Sequence, residues 1–290
     1  MPEFPEVEAL RRALDEPVRA FPIERVRPLH VATLKTIDPP LSELHGQRLA
    51  GAQRRGKRLL FPTEDGELTL MVHLMSAGRL RHLRTGERSP KTPAFQVLFE
   101  GGGQLVLTEA GARKRAGVWL LRPNALEREL EGLGPEALGL GPEALGERLR
   151  ERRRRLHPAL RDQRVLAGIG RAWSNEILHR AKLSPFELTS KLSDEKLVRL
   201  ADAMDAELVR GLELRERGAA DARIYRIHDR LGEPCPDCGT LIARVNYEEH
   251  AVYYCPACQT GGRRLTPYQG FKGRGWDEVA MASRRKTRRR

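Results

Sequence analysis

Glu67-Leu68-Thr69-Leu70-Met71-Val72-His73-Leu74 places Leu68, Leu70, Val72 and Leu74 on one side of an extended chain and Glu67, Thr69, Met71 and His73 on the other. Successive side chains of a strand point to opposite faces, so this alternation predicts a strand with one face in a core. Downstream, Val97-Leu98-Phe99 and Leu105-Val106-Leu107 flank Gly101-Gly102-Gly103. Two β-type runs around a glycine turn are a hairpin signal. Short runs of this kind extend from about 22 to 122. Upstream, residues 5–18 change to helical spacing, with Val7, Leu10, Leu14 and Val18 on one stripe and Pro17 near its end. The first part of the chain therefore reads as an antiparallel sandwich or barrel carrying an N-terminal helix.

Residues 123–146 read as a linker. They hold a direct repeat, Gly134-Pro-Glu-Ala-Leu-Gly139 and Gly141-Pro-Glu-Ala-Leu-Gly146, too short to mean a solenoid. Helical patterning returns from about 147 to 215 and includes Arg152-Arg153-Arg154-Arg155, a solvated basic face or a phosphate contact. Within it, Gly168-Ile169-Gly170 punctuates two helical segments. A helix beginning near Arg171 would present free backbone N–H groups and its positive dipole end, a ready phosphate site. Plain helix–helix packing explains the two glycines equally well. The last eight residues, Ser283 to Arg290, read as a disordered basic tail adding sequence-independent affinity for DNA.

The 290 residues suffice to bury a core, and a hydrophobic content of 40% argues against wholesale disorder despite 31% charged residues. Lys and Arg number 52 against 39 Asp and Glu, a formal net charge of +13, with a pI of about 10.1 and a mean hydropathy of −0.53. That surplus points to a polyanionic partner, nucleic acid before membrane. No uncharged run of about 18 apolar residues occurs, which excludes a transmembrane helix. The acidic start lacks the basic-then-apolar order of a signal peptide. A soluble, intracellular protein is expected.

All four cysteines lie in the last fifth of the chain, as Cys235-Pro-Asp-Cys238 and Cys255-Pro-Ala-Cys258. Two Cys-x-x-Cys pairs sixteen residues apart match zinc-ribbon spacing. Two such knuckles can aim four thiolates at one tetrahedral Zn²⁺, leaving no open position for water, so the metal would be structural. The other reading is two disulfides, but nothing in the sequence indicates an oxidising compartment.

Pro2 becomes the amino terminus once Met1 is removed. An α-amino group has a pKa near 8 against about 10.4 for lysine, so roughly a tenth of it is neutral at pH 7. It is the better nucleophile. A secondary amine forms an iminium with an aldehyde that stays cationic without a proton, an electron sink for breaking bonds β to the carbon attacked. Glu3 stands beside it as a candidate acid or base, and Glu6 lies one helical turn on. The same residues are also ordinary helix-start chemistry, Pro followed by acids.

Met1-Pro-Glu-Phe-Pro-Glu6 resembles the start of the formamidopyrimidine-DNA glycosylase/endonuclease VIII family, whose members begin Met-Pro-Glu-x-Pro-Glu. Four further stretches fall in the family's order. Gln53-Arg-Arg-Gly-Lys57-Arg-Leu-Leu60 resembles the segment of its catalytic-site lysine, and His73-Leu-Met-Ser-Ala-Gly78-Arg-Leu80 the following strand and turn. Val165 to Leu178 resembles its helix–two-turn–helix DNA clamp, and Gly232 to Gln259 its zinc finger. The resemblance implies an α+β protein: an N-terminal β-sandwich with a leading helix over 1–122, a linker over 123–146, a helix–two-turn–helix domain over 147–230, a zinc finger over 231–262 and a basic tail over 263–290. It implies a bifunctional glycosylase and AP lyase. Pro2 would attack C1′ of a damaged nucleotide, Glu3 donate a proton, Glu6 position the sugar or site, and Lys57 hold phosphate at the lesion. Base excision followed by β,δ-elimination would leave a one-nucleotide gap. DNA contacts would come from His73, Lys114, Arg115, Gly168, Gly170, Arg171, His250, Arg263 and Arg264, and one zinc would sit on Cys235, Cys238, Cys255 and Cys258. The partner would be double-stranded damaged DNA with no membrane involved, and the protein a cytoplasmic, nucleoid-associated monomer.

Departures are specific. Arg171 stands where the family commonly has Asn after the Gly-x-Gly turn, and His250 where the zinc hairpin has Arg. Arg115-Ala116 replaces Arg-Phe at the loop that fills the gap of a flipped base, and Ser76 replaces methionine at the other wedge position beside Met75. Reading of the opposite base is therefore expected to be weak. The rival function is a non-catalytic zinc-ribbon nucleic-acid-binding protein on the same scaffold. A ribosome-associated zinc-ribbon protein would fit charge and cysteines but leave the N-terminal motif unexplained.

Overall fold

In a computed structural model, residues 1–111, 114–220, 224–246 and 250–265 are described; the expected tail from 266 onward lies outside them. Two compact units result, one of residues 1–139, 162–170 and 208–219, the other of 140–161, 171–207 and the C-terminal part.

The first unit opens with helix α1 (Phe4–Arg19), which buries Val7, Leu14 and Val18 and continues two residues past Pro17. Then follow β1 (Ile23–Pro28), β2 (Gln53–Arg55), β3 (Arg58–Pro62), β4 (Thr69–His73), β5 (Gly78–Leu83), β6 (Pro93–Phe99), β7 (Gln104–Glu109) and β8 (Gly117–Leu121). They form two four-stranded antiparallel sheets, ordered β1-β6-β7-β5 and β2-β3-β4-β8. The expected hairpin is β6–β7. Gly102 at its turn has φ +81°, where a side chain would be strained.

One core joins Ile23, Leu59, Phe61, Leu70, Val72, Phe95, Val97, Leu105, Leu107, Val118 and Leu120 from the two sheets with Val7, Leu14 and Val18 of α1. Strand β4 differs from its pattern in one respect. Met71, expected on an outer face, is fully buried with Leu60 and Leu121 because helix α2 (Pro123–Leu130) covers that side with Ala125, Leu126 and Leu130. Residues 123–146 thus contain α2 and the start of helix α3 (Pro142–Arg150).

The second unit comprises α3, α4 (Leu156–Arg161), α5 (Arg171–Arg180), much of α6 (Asp194–Glu216), the strands β9 (Ala243–Asn246) and β10 (Ala251–Tyr254), and the short α7 (Pro256–Thr260). Helix α5 starts at Arg171, as its glycines suggested, and is its pillar: eight of its ten residues are buried. Its Glu176 carboxylate accepts the backbone N–H groups of Arg226, Ile227 and His228 at 2.8–3.1 Å, and burial raises its pKa. Asn175 Oδ1 accepts Tyr253 N–H at 3.2 Å, fastening the helix to β10.

His157 of α4 is 1% exposed, and its ring stacks on His250 with centroids 6.2 Å apart. Burial pushes its pKa down to about 3, assisted by Arg161, His250 and His228 and opposed by the Arg171 backbone. The unfolded chain, with a histidine near 6.5, therefore binds the proton that the folded chain refuses. This stability contribution is complete above about pH 6.5 and declines as pH falls toward 3, by roughly 1 kcal/mol per pH unit within the window. Urea midpoints measured from pH 7 to 5 should fall less steeply for His157→Leu than for the native chain. Equal slopes would mean that the ring is not held neutral.

Candidate active site

The N-terminal residues are fixed by a chain segment more than 160 positions away. Glu3 caps α1; its N–H donates to Glu6 Oε2 at 2.9 Å, half of a capping box. Phe4 N–H donates to Gly168 O at 2.9 Å, and Gly170 N–H donates to Glu3 Oε2 at 2.6 Å. Gly168 has φ +100° and lies against Phe4, so a side chain there would meet both strain and contact. The amide of Gln163 braces this turn from behind, accepting Gly168 N–H at 3.0 Å and donating to Ile169 O at 2.6 Å. The two glycines therefore serve the N-terminus directly, a role beyond both helix packing and phosphate binding.

Lys57 reaches the same point. It follows Gly56 (φ +57°) in the tight β2–β3 turn and is 4% exposed, while Glu3 is 3% exposed. A Cβ placed on Gly170 would lie 2.4 Å from Glu3 Cδ, 2.5 Å from its Oε1 and 2.7 Å from Lys57 Nζ. The buried side chains of Lys57 and of Glu3, which follows Pro2 in the chain, thus converge on one glycine. Glu6 also accepts Arg215 Nε at 3.0 Å, so its carboxylate bridges α1 and α6. Gly170→Ala forces the ends of two flexible side chains aside, leaving the backbone in place. It should cost about 1–3 kcal/mol of stability. The base excision that the family resemblance implies should nevertheless slow by about a hundredfold if Glu3 is its acid. Thermal melting and single-turnover assays read the two effects separately, and a native rate would show that the convergence is dispensable.

His73 lies at the end of β4, opposite Arg58, and its Nδ1 accepts Met75 N–H at 3.1 Å. Burial lowers its pKa to about 4, with Arg58 and Lys57 adding to the shift, so at neutral pH it is an uncharged ring. Met75 has φ +50°, a left-handed conformation uncommon outside glycine. In the neighbouring loop, Glu109 accepts the N–H groups of Arg115 and Ala116 at 2.9–3.0 Å, and Lys114 Nζ donates to the carbonyls of Glu109 and Gly111. Ala116 is fully buried, whereas Arg115 and Ser76 are exposed and Met75 half-buried.

In the second unit, the Sγ atoms of Cys235, Cys238, Cys255 and Cys258 lie within 4.8 Å of one another. Three of the pairs are 3.4, 3.5 and 4.0 Å apart. A tetrahedral ion with bonds of about 2.3 Å requires about 3.8 Å between sulfurs, so these residues fit one metal ion. His179 Nε2 of α5 lies 3.2 Å from Cys235 Sγ, and Gln259 accepts Cys255 N–H while donating to Leu183 O. Asp237, within reach of the cluster, is paired with Lys182 and Arg226. Arg171, Arg263 and Arg264 are exposed on this unit and His250 is half-buried.

Residues 1–118 match the formamidopyrimidine-DNA glycosylase N-terminal domain, and residues 132–222 its H2TH domain. The formamidopyrimidine-DNA glycosylase of Pelotomaculum thermopropionicum is 32% identical over 278 residues, covering 89% of this chain and 99% of that protein. The chain belongs to the formamidopyrimidine-DNA glycosylase family. Two solved structures of the Lactococcus lactis formamidopyrimidine-DNA glycosylase are similar, each over 89% of this chain at 26% identity. One, non-covalently bound to DNA containing an AP site, has a TM-score of 0.79 and is covered to 99%. The other, bound to DNA containing an oxidised pyrimidine, has a TM-score of 0.80 and is covered to 100%. Membership places the chain among the DNA-repair glycosylases. Among the described residues no helix is long and apolar enough to cross a membrane.

Within this family frame, the first unit gathers Glu3, Glu6, Lys57, Gly168 and Gly170 of the expected site, while Arg171, His250, Arg263 and Arg264 belong to the second. Sequence reasoning missed Arg54, Glu136, Gln163 and Arg215. Arg54 and Glu136 both sat inside stretches singled out for other reasons; nothing in the pattern marked Arg215.

Proposed function

We propose that the chain is a base-excision-repair glycosylase with AP lyase activity, acting as a monomer on damaged double-stranded DNA in the bacterial cytoplasm. The observation that carries this reading is the convergence on Gly170 of buried Lys57 and buried Glu3, the residue next to Pro2 in the chain. With Met1 removed, the Pro2 nitrogen attacks C1′ of the damaged nucleotide. The C1′–N bond breaks, its electron pair leaves with the base, and Glu3 supplies the base with a proton. Pro2 then loses its N–H proton and its lone pair opens the C1′–O4′ bond, O4′ taking up a proton; the resulting iminium draws electrons through successive β and δ eliminations, each removing a sugar C–H proton and expelling a phosphate. Glu6 holds the Glu3 amide, and Lys57 binds phosphate at the lesion. His73, Lys114, Arg115, Gly168, Gly170, Arg171, His250, Arg263 and Arg264 are the proposed DNA contacts. Unstacking a base costs a few kcal/mol, least for damaged or missing bases, which favours oxidised and ring-opened substrates.

Zn²⁺ on Cys235, Cys238, Cys255 and Cys258 would hold the finger together, a structural contribution from a closed four-ligand site. The family division at 122, 146, 230 and 262 is part of the same reading. Borohydride trapping on an abasic-site duplex tests it: an adduct mapping to Pro2 supports an amine–aldehyde intermediate. A Met1-free protein that binds the duplex and yields no adduct would favour the non-catalytic binder.

A further inference from the structure

We propose that Glu136, from the first copy of the Gly-Pro-Glu-Ala-Leu-Gly repeat, is a positioning residue that fixes Lys57 against Glu3. The inference rests on the glycosylase reading above and adds a residue that reading does not use. The two copies of the repeat have different structures. The second begins α3, with Pro142 in its first turn. The first is extended over residues 134–136 before it turns, and runs alongside residues 163–167: Gly134 N–H donates to Gln163 O, Ala167 N–H to Pro135 O and Ala137 N–H to Ala167 O. That pairing anchors the backbone on either side of Glu136 to the segment that ends in Gly170.

The Glu136 side chain points to the other partner. Its Oε1 accepts Gly56 N–H at 2.7 Å and Arg55 Nη1 at 3.0 Å, and its Oε2 accepts Arg54 Nη1 at 2.6 Å. Arg54 also donates to Gly56 O at 2.8 Å and to Glu8 of α1 at 3.1 Å, and its guanidinium lies 4.5 Å above the Phe4 ring. The Arg54 side chain is 10% exposed and that of Glu136 30%, so the Arg54 end of these charge-assisted bonds is shielded from water while the Glu136 end is half-buried. Both the N–H and the carbonyl of Gly56, the residue before Lys57, are thus held by the Glu136–Arg54 pair. One carboxylate thereby links the turn carrying Lys57, the segment leading to Gly170 and, through Arg54, the helix following Glu3. Removing its charge leaves every proposed reacting group in place but loosens their spacing. A displacement of about 1 Å can cost about a hundredfold in rate.

Glu136→Gln keeps an oxygen for Gly56 N–H and turns an amide NH₂ toward Arg54, so it detaches the guanidinium and spares the backbone contact. Single-turnover excision of a ring-opened purine is measured in the native, Glu136→Gln, Lys57→Ala and double-variant proteins, with affinity for a duplex carrying a non-cleavable abasic analogue. Glu136→Gln should slow excision at least about tenfold while changing affinity less than about threefold. In the Lys57→Ala background the same substitution should cost less than about twofold, because a residue acting through Lys57 has nothing left to position. Glu136→Asp, which keeps the charge on a shorter stem, should recover part of the rate. It replaces Gln in the cycle should that variant fail to fold. Equal losses in both backgrounds, or no loss in the native one, overturn the proposal. Failure of the underlying reading shows separately, as absent excision by the native protein or a native rate in Lys57→Ala.

Discussion

Protein that retains Met1, or any residue ahead of Pro2, should form no borohydride-trapped adduct with abasic DNA, while binding that DNA normally. An amide nitrogen shares its lone pair with the carbonyl and cannot attack C1′. The loss should be at least about a thousandfold, equivalent to about 4 kcal/mol of barrier. Glu3→Gln separates the two halves of the reaction. A base must be expelled with a proton, so excision should fall by about 10²–10⁴-fold. A preformed abasic site has no base to expel, so strand cleavage there should suffer less. Equal trapping by blocked and free proteins would remove Pro2 from the mechanism, and equal losses in both Glu3→Gln assays would remove Glu3 as the acid.

Cys255→Ser should lower bound zinc from one equivalent to none and weaken binding to an abasic-analogue duplex by at least about a hundredfold. Cys255 is fully buried and caps α7, so the substitution leaves three thiolates around a position suited to four. Metal binding supplies about 10–16 kcal/mol in small zinc modules, far more than the few apolar side chains beneath this one can replace. Those are Ile227, Ile242 and Tyr253. Elemental analysis and fluorescence anisotropy give the two readouts. Metal-free protein binding with undiminished affinity would defeat the claim that the cysteine module depends on the ion.

Much of this was legible because it is local. Alternation at 68–74, the glycine turn at 101–103, the apolar stripe of α1 and the paired cysteines each declare themselves within a few residues. Gly168 and Gly170 were legible as a turn, but their partners were not. Which N–H meets Glu3 depends on a fold bringing together residues 167 positions apart. The pairing of Glu6 with Arg215 spans 209 positions, and with 52 cationic and 39 acidic side chains nothing local selects it. Met71 shows the same limit in the core: whether a strand's second face meets water is decided by α2, a later segment. Glu136 lay in view as part of a repeat, yet repetition was no guide, since the second copy enters a helix while the first pairs with another segment.

The long-range anchoring of the N-terminus also sets an order of events during synthesis. The proposed nucleophile is among the first residues the ribosome makes, and the groups that aim it are among the later ones. A growing chain carries Pro2 from the outset but has no Glu136, Gly170 or Arg215 to hold Glu3, Lys57 and Glu6. Until Arg215 has been made, the proposed machinery for opening a DNA strand lacks the groups that aim it.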